Sequence, residues 1–317
     1  MADTRLRWTS LALALACAAA LADTYPSKPV RLIVPFTPGS GTDMVARMTG
    51  PKLAETFGQQ VVVDNRAGAG SVVGTAIVGT ATPDGHTLLL TSSGFAGSAS
   101  VAPKLPYDPI KDFAAVTQIM TTPLVIVVAP SQGVRTLREL VALAKQKPIS
   151  YASNGAGSGT HYGIELFRRA AKFDATHVPY KGIPEALTDT MAGRIHFTMG
   201  PLLAALPLVK DGRVIGLSVT TSQRSPLLPD VPTPAEAGLP EFEYEGWYGL
   251  IAPARTPRAV IDRLSAEMKR ILDSPDIRDR MTNLGGSAKW TPPEDFARMI
   301  RTEIETRAKV LKAPGAR

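Results

Sequence analysis

Residues 30–34 read Val-Arg-Leu-Ile-Val, residues 61–63 Val-Val-Val and residues 87–91 Thr-Leu-Leu-Leu-Thr, with helix-like sequence between them at 43–57 and about 72–80. That alternation decides the fold class. Strands that are apolar along their whole length are buried on both faces, and helices between them make a parallel sheet covered on both sides. Pro35 ends the first strand, Gly50-Pro51 is expected to interrupt the first helix, and Gly58 stops it. The chain therefore opens as βαβαβ, an α/β fold.

Further along, the series restarts after Pro123, with strands near 124–128, 149–152, 175–178, 195–199 and 214–219 and helices at about 136–145, 159–171, 183–192 and 202–210. A restart in 317 residues, more than one core comfortably holds, predicts two lobes. Residues 226–245, rich in Pro, Gly and acids, read as a connector, and a strand follows at 247–251. Three helices finish the chain. Pro257 opens the first, whose apolar stripe is Val260, Leu264, Met268 and Ile271; Ser274-Pro275 opens the second; Thr291-Pro-Pro-Glu294 reads as a capping box for the third. The expected division is 23–122 plus 246–317 for one lobe and 123–245 for the other, each a mostly parallel sheet flanked by helices.

At the N-terminus, Arg5 and Arg7 precede the apolar run Leu11 to Leu21, and Ala20-Leu21-Ala22 has small residues where a signal peptidase reads. Residues 1–22 are thus an expected signal peptide, cleaved near Ala22, on an exported protein. The run is about half the roughly 20 residues of a membrane span. Cys17, the one cysteine, lies inside this segment, and Ala14-Leu15-Ala16-Cys17 lacks the Leu of a lipidation signal. Removing the segment takes away Asp3 with the two arginines and lowers the formal charge from +7 to +6. The basic residues are scattered, with no aromatic-interleaved stripe, which argues against nucleic acid as a partner. A monomer is expected.

Glycine-rich turns stand at three strand ends: Pro38-Gly39-Ser40-Gly41-Thr42-Asp43, Asn65-Arg66-Ala67-Gly68-Ala69-Gly70-Ser71, and Gly155-Ala156-Gly157-Ser158-Gly159-Thr160-His161. Each precedes a helix. In an open parallel sheet this is the ligand crevice, where free N–H groups and the helix dipole favour an anion. Glycine lets the backbone come close, and Ser and Thr add hydroxyl donors. Candidate ligand residues are Gly39, Ser40, Gly41 and Thr42 in the first turn and Gly157, Ser158, Gly159 and Thr160 in the third, with Ser92 and Ser93 after the third strand. Phe36 is either a cleft wall or core. Asp43 is either a helix cap or a cleft residue, with capping favoured. Tyr180 and Lys181 either line the cleft or form a turn, and His161 is either structural or turned into the cleft.

Enzyme readings find little support. There is no phosphate loop, Gly68-Ala69-Gly70 lacks the third glycine of a dinucleotide fingerprint, and Ser158 is not in a G-x-S-x-G elbow. His86, His161, His177 and His196 have no paired metal-ligand spacing. No cofactor is expected.

Six phrases spread over the chain resemble the Bug-type extracytoplasmic receptors of tripartite tricarboxylate transporters. They are Tyr25-Pro26 to Pro38-Gly39, Val63-Asp-Asn65-Arg66-Ala-Gly68-Ala-Gly70, Ala81-Thr-Pro-Asp84-Gly85-His86-Thr87, His177-Val-Pro-Tyr180-Lys181-Gly182, Leu228-Pro-Asp-Val-Pro232-Thr-Pro-Ala-Glu236-Ala-Gly238 and Trp247-Tyr-Gly-Leu-Ile-Ala252-Pro253. The resemblance implies a two-lobed periplasmic binding protein fold of type II kind that captures a small carboxylate and hands it to a two-subunit membrane permease. It further implies that backbone N–H groups and waters of two turns, here 36–43 and 155–161, hold the carboxylate. The family's frequent Phe-Asp-Asn at one strand end is Met199-Gly200-Pro201 here, which places Gly200 at the site and removes a carboxylate that could meet an amino group. Amino-acid ligands are therefore less expected than mono- or dicarboxylates. A ligand-sensing partner of a sensor kinase and an exported enzyme are the alternatives.

Overall fold

The computed structural model describes residues 25–101 and 104–311. The expected signal peptide, its cleavage near Ala22, and Cys17 lie outside them. Strands β1 (Val30–Val34), β2 (Val61–Asn65) and β3 (Thr87–Ser92) are parallel with β1 in the middle. Next to β3, antiparallel, runs β9 (Glu245–Pro253), and β9 pairs antiparallel with the first part of β4 (Phe113–Val128). The second part of β4 pairs antiparallel with β7 (Phe197–Pro201) and β8 (Ile215–Val219). Beyond β7 lie β5 (Ser150–Ser153) and β6 (Thr176–Pro179), again parallel. The outer strands of each half are parallel as expected. The strands that join the halves add antiparallel ladders.

Apolar alternation explains why both faces are covered. In the first half Leu32, Val34, Leu88 and Leu90 pack on one face with Val45, Met48 and Leu53 of α1 (Gly41–Phe57) and Leu264 and Met268 of α8 (Arg258–Asp273). Ile33, Leu89 and Ile251 meet Val78 of α2 (Val72–Gly79), Phe95 of α3 (Gly94–Val101) and Phe296 and Ile300 of α10 (Pro293–Leu311) on the other. The second half repeats the plan. Leu124, Ile126 and Val128 face α4 (Leu137–Gln146) and α5 (Gly159–Ala171), whereas Val125 and Val127 face α6 (Ile183–Met191) and α7 (Leu202–Lys210). Each such side chain contributes about 1.5–3 kcal/mol when fully buried.

Several local expectations are corrected. Pro123 does not begin a strand; it lies inside β4, paired opposite Glu245, and from Leu124 onward the strand pairs with β7 and β8. A residue without an N–H is tolerated where a ladder changes partner. Gly50-Pro51 does not interrupt α1, which runs through with Pro51 inside and ends at Gly58 in the left-handed region (φ 63°). Thr291 does not cap α10; its amide donates to Thr117 Oγ1 and its hydroxyl meets Gln118 Oε1. Finally, α10 touches both halves, since Phe296 packs on the first sheet and Leu311 on the core of the second.

Candidate ligand-binding site

A narrow cleft, partly open to solvent, lies where the two halves of the sheet meet. Its lining is set by helix starts. Ser40, Gly41 and Thr42 open α1, Ser92 and Ser93 precede α3, Gly159 and Thr160 open α5, Ile183 opens α6 and Pro201 precedes α7. The rest of the lining is Asn154, directly after β5, with Thr122, Leu124, Tyr244, Gly246, Trp247 and Tyr248 from the joining strands and connector. Five helix N-termini thus converge on a cleft none of whose lining side chains is charged. Each N-terminus carries partial positive charge and first-turn amides without intrahelical acceptors.

The two main turns are built alike. Ser40 caps α1 by accepting from the Asp43 amide at 3.3 Å, and Ser158 caps α5 by accepting from the His161 amide at 3.2 Å. In each helix the two intervening amides, of Gly41 and Thr42 and of Gly159 and Thr160, are first-turn donors. Both helices need glycine at their first position. A Cβ at Gly41 would collide with the Tyr248 hydroxyl, and one at Gly159 with Ser93 Oγ and the Tyr244 hydroxyl. Burial pushes the Tyr248 phenol far above its ordinary pKa, so it stays a neutral donor.

Of the residues singled out in the sequence, Ser40, Gly41, Thr42, Ser92, Ser93, Gly159 and Thr160 line the cleft. The others lie behind or beside it. Phe36 is buried beneath Gly94, and its carbonyl accepts from Asn65 Nδ2. Gly39 donates its amide to Asp43 Oδ2 at 2.9 Å. Asp43 is turned to Arg47 and Asn65. Burial alone would raise its pKa, but hydrogen bonds from Arg47, the Gly39 amide and Asn65, with the Arg47 charge, outweigh this and hold it below the carboxylate range. Gly157 has φ 77° and packs on α3. Tyr180 donates to Asp189 at 2.6 Å, Lys181 is exposed, and Gly200 faces Ala205 and Leu187 one residue before the lining Pro201.

His161 is structural in its contacts: its Nδ1 accepts from the Gly157 amide at 3.1 Å, and its ring stacks on His177 at 4.2 Å. Burial, helped by the Arg168 charge, lowers its pKa to about 4, and burial with His161 nearby lowers that of His177 to about 3. Both imidazoles are neutral at neutral pH, which keeps His161 Nδ1 an acceptor for the turn.

The lining residues absent from the sequence reading reach the cleft by different routes. Ile183 and Pro201 obey the same strand-end rule as the chosen turns, while Thr122 and Leu124 flank the proline where β4 changes sheets. Tyr244, Gly246, Trp247 and Tyr248 lie where the connector enters β9, a place that only the pairing of β9 with both β3 and β4 brings to the cleft.

The buried cap at Ser158 yields an expected result. Its hydroxyl is already engaged by the His161 amide and by Thr160 Oγ1 at 3.2 Å, so Ser158→Ala should act first on stability. Loss of such a cap costs about 1 kcal/mol. Urea unfolding of the variant should show an unfolding free energy lowered by about that amount; an unchanged free energy together with strongly weakened ligand binding would return the hydroxyl to the ligand.

Two half-sheets joined by crossing strands, with helix starts converging on the cleft between them, define a two-lobed solute-binding receptor. Comparison with known proteins makes this specific. The family profile described as "Tripartite tricarboxylate transporter family receptor" matches residues 45–315, and the chain belongs to that family. Among solved structures, the periplasmic binding protein BugD is 30% identical, with TM-score 0.86 over 91% of this chain and 98% of that one. Rpa4515 of Rhodopseudomonas palustris, solved with adipate, is 34% identical, with TM-score 0.87 over 91% and 97%. MatC of the same organism, with bound malate, is 33% identical, with TM-score 0.85 over 90% and 100%. The chain is accordingly a Bug-type solute receptor with the two-lobed periplasmic binding protein fold, and not an enzyme. Among the described residues no helix is long and apolar enough to cross a membrane.

Proposed function

We propose that this receptor is exported to the periplasm, binds a small carboxylate in the cleft between its lobes as a monomer, and delivers it to a two-subunit membrane permease. The observation that carries the carboxylate is the convergence of five helix starts on a wall without a charged side chain. Such a wall suits an anion and gives an ammonium group no carboxylate to meet. Adipate in Rpa4515 and malate in MatC support the same ligand class. The lobes divide as 23–122 plus 246–317 and 123–245, with α10 lying across the division, and ligand draws them together.

A thermal-shift panel of mono- and dicarboxylates, including malate and adipate, against amino acids tests the reading. A ligand at 100 times its dissociation constant stabilises by about 2.7 kcal/mol. At least one carboxylate should raise the melting temperature by several degrees. A response confined to amino acids or to neutral solutes would overturn the assignment.

A further inference from the structure

The cleft wall made by Tyr244 and Trp247 is held from behind by one ion pair on α10. Arg307 is only 2% exposed, and its Nε donates to Glu303 Oε2 at 3.0 Å. The other oxygen of Glu303 accepts from Trp247 Nε1 at 2.9 Å. Arg307 Nη2 reaches the Tyr244 hydroxyl at 3.4 Å, and the guanidinium lies over the Tyr162 ring of α5 at 4.3 Å. Its Nη1 is buried without a hydrogen-bond partner among the described residues. Burying a guanidinium with one nitrogen unsatisfied costs free energy that apolar packing at the same place would not.

The direction of the hydrogen bonds gives it a task. A guanidinium only donates, so the Tyr244 oxygen accepts from it and keeps its own proton to give. Ser93 Oγ is 2.9 Å from that hydroxyl on the cleft side, and both residues line the cleft. The chain Arg307 to Tyr244 to Ser93 therefore aligns donors toward the ligand space. Glu303 neutralises the pair as a whole, so what reaches the cleft is the direction of the hydrogen bonds rather than a net charge.

We propose that Arg307 is a specificity-determining positioning residue of the cleft, which acts through Tyr244 and Ser93 to aim hydroxyl donors at the bound carboxylate. The assignment rests on the carboxylate reading above. It makes α10, no residue of which lines the cleft, part of ligand selection.

The test is calorimetry on the full receptor with adipate or malate, whichever binds the parent protein more tightly, and with the corresponding diamide. Hydrogen bonds to a charged group justify an effect of about tenfold. Arg307→Met and Tyr244→Phe should each weaken the diacid about tenfold and the diamide by less than about threefold, and the double variant should resemble either single one. Arg307→Lys should recover part of the loss. Tyr244→Phe leaves the ion pair and the ring in place, so it decides the matter if Arg307→Met does not fold. Equal losses for diacid and diamide, or an unchanged diacid affinity, would make Arg307 a packing residue and overturn the proposal. Where the parent protein binds neither diacid, the tightest-binding carboxylate of the thermal-shift panel and its amide take their place, and a parent that binds no carboxylate overturns the carboxylate reading and this role with it.

Discussion

Replacing Gly97 by alanine is expected to weaken ligand binding roughly tenfold, and by leucine to abolish it, while the unliganded receptor remains folded and becomes no less stable. Gly97 is in the middle of α3, where a Cβ would collide with the carbonyl oxygen of Gly157 and come within 3.0 Å of its carbonyl carbon. These are backbone atoms of the turn that opens α5, so no side-chain rotation relieves the clash. If the lobes separate without ligand, the clash exists only in the closed form. Overpacking of about 1–3 kcal/mol would then be charged to closure and read as weaker affinity.

In the open form alanine should help, because glycine in a helix interior is less favourable by about 0.5–1 kcal/mol. Urea unfolding without ligand and calorimetry with it separate the two effects. A Gly97→Ala protein that loses stability without ligand, by as much as it loses affinity, would show that α3 and the 155–157 turn never part. The proposed hinge motion would then have to lie elsewhere.

The same glycine shows where sequence reading stops. Strands β1 to β3 and the helices between them were legible because their burial on two faces leaves an uninterrupted apolar run, as in Leu32-Ile33-Val34 with neighbours on alternate faces. Helix α3, Gly-Phe-Ala-Gly-Ser-Ala-Ser-Val, carries no such mark. Its small residues lower helix propensity, and the need for them arises from a turn some sixty residues away in the chain. The first half of β4 was hidden by a different cause. Phe113 to Thr122 mixes polar and apolar residues, and Pro123 reads as a boundary until the exchange of β9 for β7 and β8 is seen.

At the site, the rule that helix starts after strand ends border the crevice selected two turns whose first helical residues line the cleft, since it depends only on local order along the chain. It could not tell that Ser40 and Ser158 cap their helices whereas Ser93 pairs with the Tyr244 hydroxyl, because that distinction depends on which partner each group finds in the folded chain. The wall from Tyr244 to Tyr248 was beyond it for a topological reason. These residues follow no parallel strand and reach the cleft only because β9 lies between β3 and β4.

Replacing the ligand's carboxylate by a primary amide should therefore be the most damaging change to the ligand itself, with an expected loss of at least a hundredfold. Each helix N-terminus contributes about 0.3–1 kcal/mol toward an anion, and up to about 2 kcal/mol in partly buried geometry. The starts of α1, α3 and α5 bring such groups to the cleft together, with those of α6 and α7 beside them. Removing the ligand charge forfeits most of that sum. The amide NH2 also sets a donor against amides of Gly41, Thr42, Gly159 and Thr160 that can only donate, and a buried donor left unsatisfied costs a further 1–3 kcal/mol or so. A total near 3 kcal/mol corresponds to a factor of more than about a hundred in dissociation constant. Because the cleft excludes most solvent when closed, raising the salt from 0.05 to 0.5 M should leave much of the acid–amide difference in place, unlike attraction by exposed lysines. Calorimetry with the paired compounds at both salt concentrations measures it, and an amide that binds as tightly as its acid would show that the helix starts are not what holds the ligand.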